Sequence, residues 1–304
     1  MSYRIARHLP LADEFRRIAD LQVCRAMGNL EDARSDPETM LHECRKRFKK
    51  VRALLRLVRR ADKGFFRTEN ARYRDTAHTL ASGRKATALI ETVDRLIDAY
   101  PKATGSGELD GIRTALVMRR EARLREEAGM ERRIDAGLAA CRIGRAQIRI
   151  LELPDEPDDA ADVIAAGVKK VLRKAVRAYK AARKDGTPEQ FHELRKGVKN
   201  HWMHLQLLRA FWPSPAKRRR KAAHKLGQRL GDLHDLDVLK RLVEREGDAL
   251  GSREEIEQLR RVMARSDKSL RKRCLRKAKR LLDKDARKMP RKVAKNYAAR
   301  AAAA

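Results

Sequence analysis

The octapeptide His42-Glu43-Cys44-Arg45-Lys46-Arg47-Phe48-Lys49 returns in outline as His192-Glu193-Leu194-Arg195-Lys196-Gly197-Val198-Lys199, and both follow the pattern H-E-x-R-K-x-x-K. On a helix, positions i, i+3, i+4 and i+7 share a face, so His42, Arg45, Lys46 and Lys49 form one cationic stripe, which Arg52, Arg56 and Arg60 extend. His192, Arg195, Lys196 and Lys199 form a second. Behind the first stripe lie Cys44, Phe48, Val51, Leu55 and Val58; behind the second lie Leu194, Val198, Leu205 and Leu208. Like charges at i,i+4 cost a few tenths of a kcal/mol each, and a bound anion reverses that sign. Arginine offers a fork that matches two phosphate oxygens, lysine a mobile point charge, and histidine a donor that becomes cationic beside a phosphate. The chemistry these residue types support is the binding of a string of phosphates. A solvated basic face explains one such stripe as well; its repetition with the histidine retained favours function.

Other chemistries fit less well. A zincin helix needs H-E-x-x-H, and the fourth position after each histidine is Lys46 or Lys196, a cation that would repel a metal. His201 and His204 fall near the apolar side and read as core or boundary residues. There is no Gly-rich phosphate loop and no Ser-His-Asp order, so no catalytic residue, metal or cofactor is assigned. A phosphoacceptor role for His42 or His192 is the enzymatic alternative, and no general base accompanies either. Cys24, Cys44, Cys141 and Cys274 stand far apart with no C-x-x-C pair and read as small packed hydrophobes.

The elements that carry these stripes read at helical period almost throughout. Helices are expected from Leu11 to about Leu30, from Pro37 to about Arg60 with Asp36 as N-cap, from Phe65 to Leu80, and from Arg84 to Tyr100. Pro101 to Gly107 reads as a loop, and Glu108 to Leu153 as helix interrupted near Gly129. Two prolines and four acids in Leu153 to Asp159 mark a junction in an otherwise basic chain. Beyond it a helix runs from Ala160 to Lys184, and Thr187 with Gln190 forms a capping box for another that reaches about Phe211. Pro213 and Pro215 stop that helix. Lys217 to Leu230 is then expected as one helix, a helix capped by Asp235 as the next, and Ser252 to about Lys284 as the last. The units are therefore 1–153, a linker 154–159, 160–285, and a basic tail 286–304 expected to be disordered.

The two motifs stand 150 residues apart, and without a gap the same offset pairs Leu55 with Leu205, Leu57 with Leu207, Arg59 with Arg209, Leu80 with Leu230, Leu89 with Leu239 and Val93 with Val243. This register through successive helices reads as an internal duplication. The expected fold is all-α, with two four-helix bundles related by a pseudo-two-fold that brings the two cationic faces towards one shared surface.

Charge points the same way. With 74 Lys and Arg against 42 Asp and Glu, the formal net charge is +32 over 304 residues. So much like charge in a compact body calls for an anionic partner. Aromatic residues make up 4% of the chain, too few to stack a single-stranded nucleic acid along its length. Met1 to Phe15 lacks a signal-peptide apolar run and no stretch is long enough to span a bilayer, so a soluble, cytoplasmic protein is expected.

The doubled H-E-x-R-K-x-x-K, with His234-Asp235-Leu236-Asp237-Val238-Leu239 closing the second half, resembles the conserved histidine α-helical domain (CHAD) family over about residues 10–285. The resemblance implies two four-helix bundles around a basic central cavity that binds inorganic polyphosphate, without catalysis, and association with polyphosphate granules. It assigns phosphate contacts to His42, Arg45, Lys46, Lys49, His192, Arg195, Lys196 and Lys199. Arg52 and Arg56 follow by helical facing, and Arg218, Lys225 and Arg229 of the next helix are further candidates. The first half departs from the pattern, with Ser82-Gly83-Arg84-Lys85-Ala86-Thr87 where the second has its acidic turn. The alternative reading is a nucleic-acid-associated protein that binds through net charge and the Arg271 to Lys295 tail.

Overall fold

A computed structural model describes residues 3–6, 9–80, 84–105, 107–125 and 129–301, and among them it is all-α, without a strand. In chain order the helices are α1 (Leu11–Asp32), α2 (Pro37–Val58), α3 (Lys63–Thr79), α4 (Arg84–Ala99), α5 (Pro101–Thr104), α6 (Asp110–Arg125) and α7 (Met130–Ile150). After the acidic segment come α8 (Pro157–Lys184), α9 (Pro188–Leu207), α10 (Pro213–Glu246), α11 (Arg253–Leu281), α12 (Lys284–Arg287) and α13 (Met289–Ala301). None of the described helices is long and apolar enough to cross a membrane.

The ends of these helices follow their local chemistry. Asp36 accepts a hydrogen bond from the Thr39 amide at 3.2 Å, which caps α2 with Pro37 in its first turn. Thr187 and Gln190 form the full reciprocal capping box at α9, and Ser252 and Glu255 do the same at α11. Gly129, at φ +83°, precedes α7, a conformation that favours glycine.

Two apolar cores result. The larger is built from α1, α2, α7, α8, α9 and α13 together with Tyr73 of α3, the first part of α10 and the end of α11. The smaller joins α4 and α6 to Leu236, Leu239, Leu242 and Val243 of α10 and to Ile256, Leu259, Val262 and Met263 of α11. Each core draws residues from both sides of 154–159. Where α10 and α11 pass from one core to the other, Arg271 meets Asp267 at 2.7 Å and Asp237 at 3.4 Å, and Lys240 meets Asp267 at 3.0 Å. Asp237 is buried there, and pairing is what makes its burial tolerable.

Three expectations are corrected. The helices expected from Lys217 and from Asp235 are one, α10, of 34 residues. Leu226, Leu230 and Leu233 bury in the large core and Leu236, Leu239 and Val243 in the small one, so apolar spacing of three to four residues never lapses. Asp235 is interior to the helix and lies beside Arg195 instead of capping. The segment read as a loop, Pro101 to Gly107, begins with the short helix α5. The tail expected to be disordered folds as α12 and α13: Met289, Val293 and Tyr297 recur at i, i+4 and i+8 and are buried. Tyr297 packs on Phe211 with ring centroids 5.2 Å apart, and Asn296 Nδ2 donates to the Phe211 carbonyl at 2.8 Å. Residues 302–304 lie outside the described residues, as do Ser82 and Gly83 of the first half's departure from the motif.

The motif helices meet inside the large core. α2 packs on α1, α3, α8 and α9. Gly167 of α8 sits so close under Leu57 of α2 that a methyl group there would overlap the Leu57 carbonyl. His204 Nε2 lies 3.0 Å from the Ala53 carbonyl oxygen, a buried link between α9 and α2.

Candidate polyanion site

The apolar backs of both stripes are buried as their spacing predicts: Cys44, Phe48, Val51, Leu55 and Val58 on α2, and Leu194, Val198, Leu205 and Leu208 at α9. That burial turns the cations away from the core. On α2, Lys46 and Lys49 are exposed, while His42, Arg45, Arg52 and Arg56 are half-buried. On α9, Lys196 is exposed and His192, Arg195 and Lys199 are half-buried.

Each motif holds its own lysine. Lys196 Nζ meets Glu193 at 2.6 Å, and Lys46 pairs with Glu43 in the same i,i+3 relation. The Lys46 hydrogen bond is the main reason the Glu43 carboxyl is held below its ordinary range. Exposed pairs of this kind are worth roughly 0.2–1 kcal/mol, little enough for a phosphate to displace the carboxylate.

The α9 stripe lies along α10, which runs antiparallel to it. The His192 and His234 rings stand 4.6 Å apart, and the Arg195 guanidinium lies over Gly231. Lys199 lies along Gly227, and Trp202 meets His224 at 5.1 Å. A Cβ at position 231 would stand 3.2 Å from Arg195 Nη2, so the glycine makes room for the arginine. Burial lowers the Arg195 pKa, and Asp235 and Asp232 act against that shift. Burial, then Lys196 and Arg195, hold the His192 pKa down. Burial followed by Arg195 and His192 pushes His234 down to about 4. Both imidazoles are therefore neutral at pH 7 in the unliganded protein.

The α2 stripe meets different neighbours. Arg52 Nε donates to Asn70 Oδ1 of α3 at 3.1 Å, and Arg56 Nη1 donates to the Arg52 carbonyl at 2.7 Å. Burial, then Arg52, lowers Arg56 to about 10. Beside it a basic cluster continues onto α8: the Lys174 pKa is lowered by burial and then by Arg59, Arg56, Lys170 and Arg177. Sequence reading passed over Lys170, Lys174 and Arg177, although their i, i+4, i+7 spacing is the signal that marked the motif helices. His234 was read only as part of a turn, and its place against His192 needed the α9–α10 register.

The other candidates scatter along α10. Arg218 and Lys225 are exposed, whereas Arg229 is half-buried on the side of α11, beside Cys274 and Asp232. Arg60 reaches Asp162 of α8 at 3.8 Å. His201 and His204 are fully buried, as read from their place on α9. Cys44, Cys141 and Cys274 are buried and unbridged, and Cys24 is half-buried.

A comparison with curated proteins finds no match. The family model for the CHAD domain matches residues 17–244, from within α1 almost to the end of α10. That span takes in both motif helices and the α10 surface along which the second one lies. The chain belongs to the CHAD domain family, which is associated with polyphosphate binding and is generally non-catalytic.

Proposed function

We propose that this chain is a non-catalytic inorganic polyphosphate-binding protein, whose ligand threads a central cavity lined by the two H-E-x-R-K-x-x-K faces. The observation that carries the reading is the recurrence of one cationic stripe on two separately capped helices, with the motif's glutamate holding its lysine in both. The residues proposed to contact phosphate are His42, Arg45, Lys46, Lys49, Arg52 and Arg56 of α2 and His192, Arg195, Lys196 and Lys199 of α9. Arg56 joins the Lys170, Lys174 and Arg177 cluster to that set, while Arg218, Lys225 and Arg229 stand as secondary contacts. Binding replaces condensed counterions on the polyphosphate with protein cations, so affinity falls steeply with salt.

The proposal includes an internal duplication, with 1–153 repeated in 160–285 and the two repeats sharing both apolar cores. Its support is the matching of helix bounds at the 150-residue offset: α1 with α8, α2 with α9, α3 with the first half of α10, and α4 with the second half. Cytoplasmic polyphosphate granules are the proposed location.

The test is a competition titration of labelled long-chain polyphosphate at near-physiological salt, using wild type and the combined Arg45→Ala, Lys46→Ala, Arg195→Ala, Lys196→Ala variant. The reading expects the variant to lose at least tenfold in affinity while keeping its helical circular dichroism. Unchanged binding in a folded variant would refute it.

A further inference from the structure

We propose that α11 carries a second polyanion surface, separate from the motif helices, that docks in the major groove of duplex DNA. The surface lies beyond residue 244, where the family match ends. From position 268 through 280 every exposed residue is a lysine or arginine: Lys268, Lys272, Arg273, Arg276, Lys279 and Arg280. Among the described residues none of the six makes an ion pair. The first part of the same helix differs, because there Arg253 and Arg261 both reach Glu257, at 3.5 and 3.6 Å. Cys274, Ala278 and Leu281 bury the opposite face in the large core, so the helix is fixed and its cations cannot turn inward. Six like charges on about 18 Å of rigid helix are mutually repulsive until phosphates lie alongside.

The distribution around the axis selects the partner. At 3.6 residues per turn, Lys268, Lys272 and Lys279 fall on one flank, Arg273 and Arg280 on the other, and Arg276 between them. A helix with side chains is about 10–12 Å across and the B-DNA major groove is about 12 Å wide, with a row of phosphates on each side. Cations on both flanks meet both rows. A single polyphosphate strand would engage one flank and leave the other uncompensated. The major groove of A-form RNA is too narrow to admit the helix. No amide or aromatic side chain is exposed along this stretch, so the flanking cations meet the backbone phosphates and Arg276, between the flanks, is the side chain that faces the base edges.

The experiment titrates the full-length protein with a labelled mixed-sequence DNA duplex, the matching RNA duplex and long-chain polyphosphate over a range of salt. The variants are the combined Lys272→Gln, Arg273→Gln, Arg276→Gln, Arg280→Gln protein and the motif variant described above. The proposal expects the α11 variant to bind DNA at least tenfold more weakly, with a log–log salt slope shallower by up to about 3.6, since each of the four cations removed contributes about 0.9 for a phosphate it neutralises. It expects polyphosphate binding by that variant to be unchanged, and wild type to bind RNA duplex at least tenfold more weakly than DNA. The motif variant should keep its DNA affinity, whatever happens to polyphosphate, so the two sites stand or fall separately. Three results each overturn the proposal: undiminished DNA binding by the α11 variant, loss of polyphosphate in its place, or equal affinity of wild type for the two duplexes.

Discussion

Lys196 and Glu193 form a 2.6 Å ion pair one helical turn apart on α9, and Lys46 and Glu43 form the corresponding pair on α2. The arrangement keeps one cation of each stripe occupied while no anion is bound. It also lowers the repulsion between that lysine and the neighbouring arginine.

Removing the internal carboxylates should therefore strengthen binding. Glu43→Gln and Glu193→Gln together release two exposed pairs worth roughly 0.2–1 kcal/mol each, which corresponds to a gain of about two- to thirtyfold in polyphosphate affinity. Fluorescence titration at fixed salt measures it. A loss of affinity would mean that the glutamates position the lysines and do not compete for them.

The His192–His234 pair gives binding a pH dependence with a definite sign. Both pKa values lie below the ordinary histidine value in the unliganded protein, His234 at about 4, because of burial and of Arg195, Lys196 and Arg241 nearby. A bound phosphate offsets those cations and raises both values, so binding takes up protons and affinity rises as pH falls from 7.5 towards 5.5. Calorimetry in buffers of different ionisation enthalpy should report net proton uptake, reduced in His192→Gln, His234→Gln protein. Proton release, or no difference between wild type and variant, would contradict this.

Most of the fold was legible because its signals are local. Asp36, Thr187 and Ser252 each cap the helix their sequence announces, and the period of apolar residues gave α1, α2, α8 and α9 to within a few residues. What was missed depended on tertiary partners. The 230–235 stretch offers Gly231 and Asp235 as a break, yet Gly231 serves to admit Arg195, and Asp235 faces the same arginine. In the tail many cations surround Met289, Val293 and Tyr297, and the apolar partner that orders those three is α8, far away in sequence. Of the candidate site, facing along one helix was readable, but the joining of Arg56 to Lys174 across α2 and α8 was not.

The buried histidines predict acid lability. Among the described residues His201 has no hydrogen-bond partner at either ring nitrogen, and burial lowers its pKa to about 3; burial likewise takes His204 to about 4 despite its bond to Ala53. Their folded pKa values are depressed, so the unfolded chain binds more protons between about pH 6.5 and 4, and stability falls as pH falls through that window. His201 alone accounts for a loss on the order of 3 kcal/mol from pH 6.5 to 4. His201→Met should flatten the dependence of Tm on pH below 6.5, followed by thermal melts in matched buffers. An unchanged slope would place the acid sensitivity elsewhere.

The ordered tail predicts that α13 is part of the large core and not an appendage. Tyr297 is 3% exposed and packs at a tilt against Phe211, which lies just before α10, while Met289 and Val293 fill the same seam against α8. Truncating a buried aromatic to alanine removes its transfer energy and leaves a cavity, together about 3–5 kcal/mol. Tyr297→Ala should lower the free energy of unfolding measured by urea titration by that amount, and Tyr297→Phe, which keeps the ring, by far less. Because the motif helices share that core, the alanine variant should also loosen amide-exchange protection in α8 and α9. Wild-type protection there, with an unchanged unfolding midpoint, would show that the tail adds nothing to the core that holds the two basic faces.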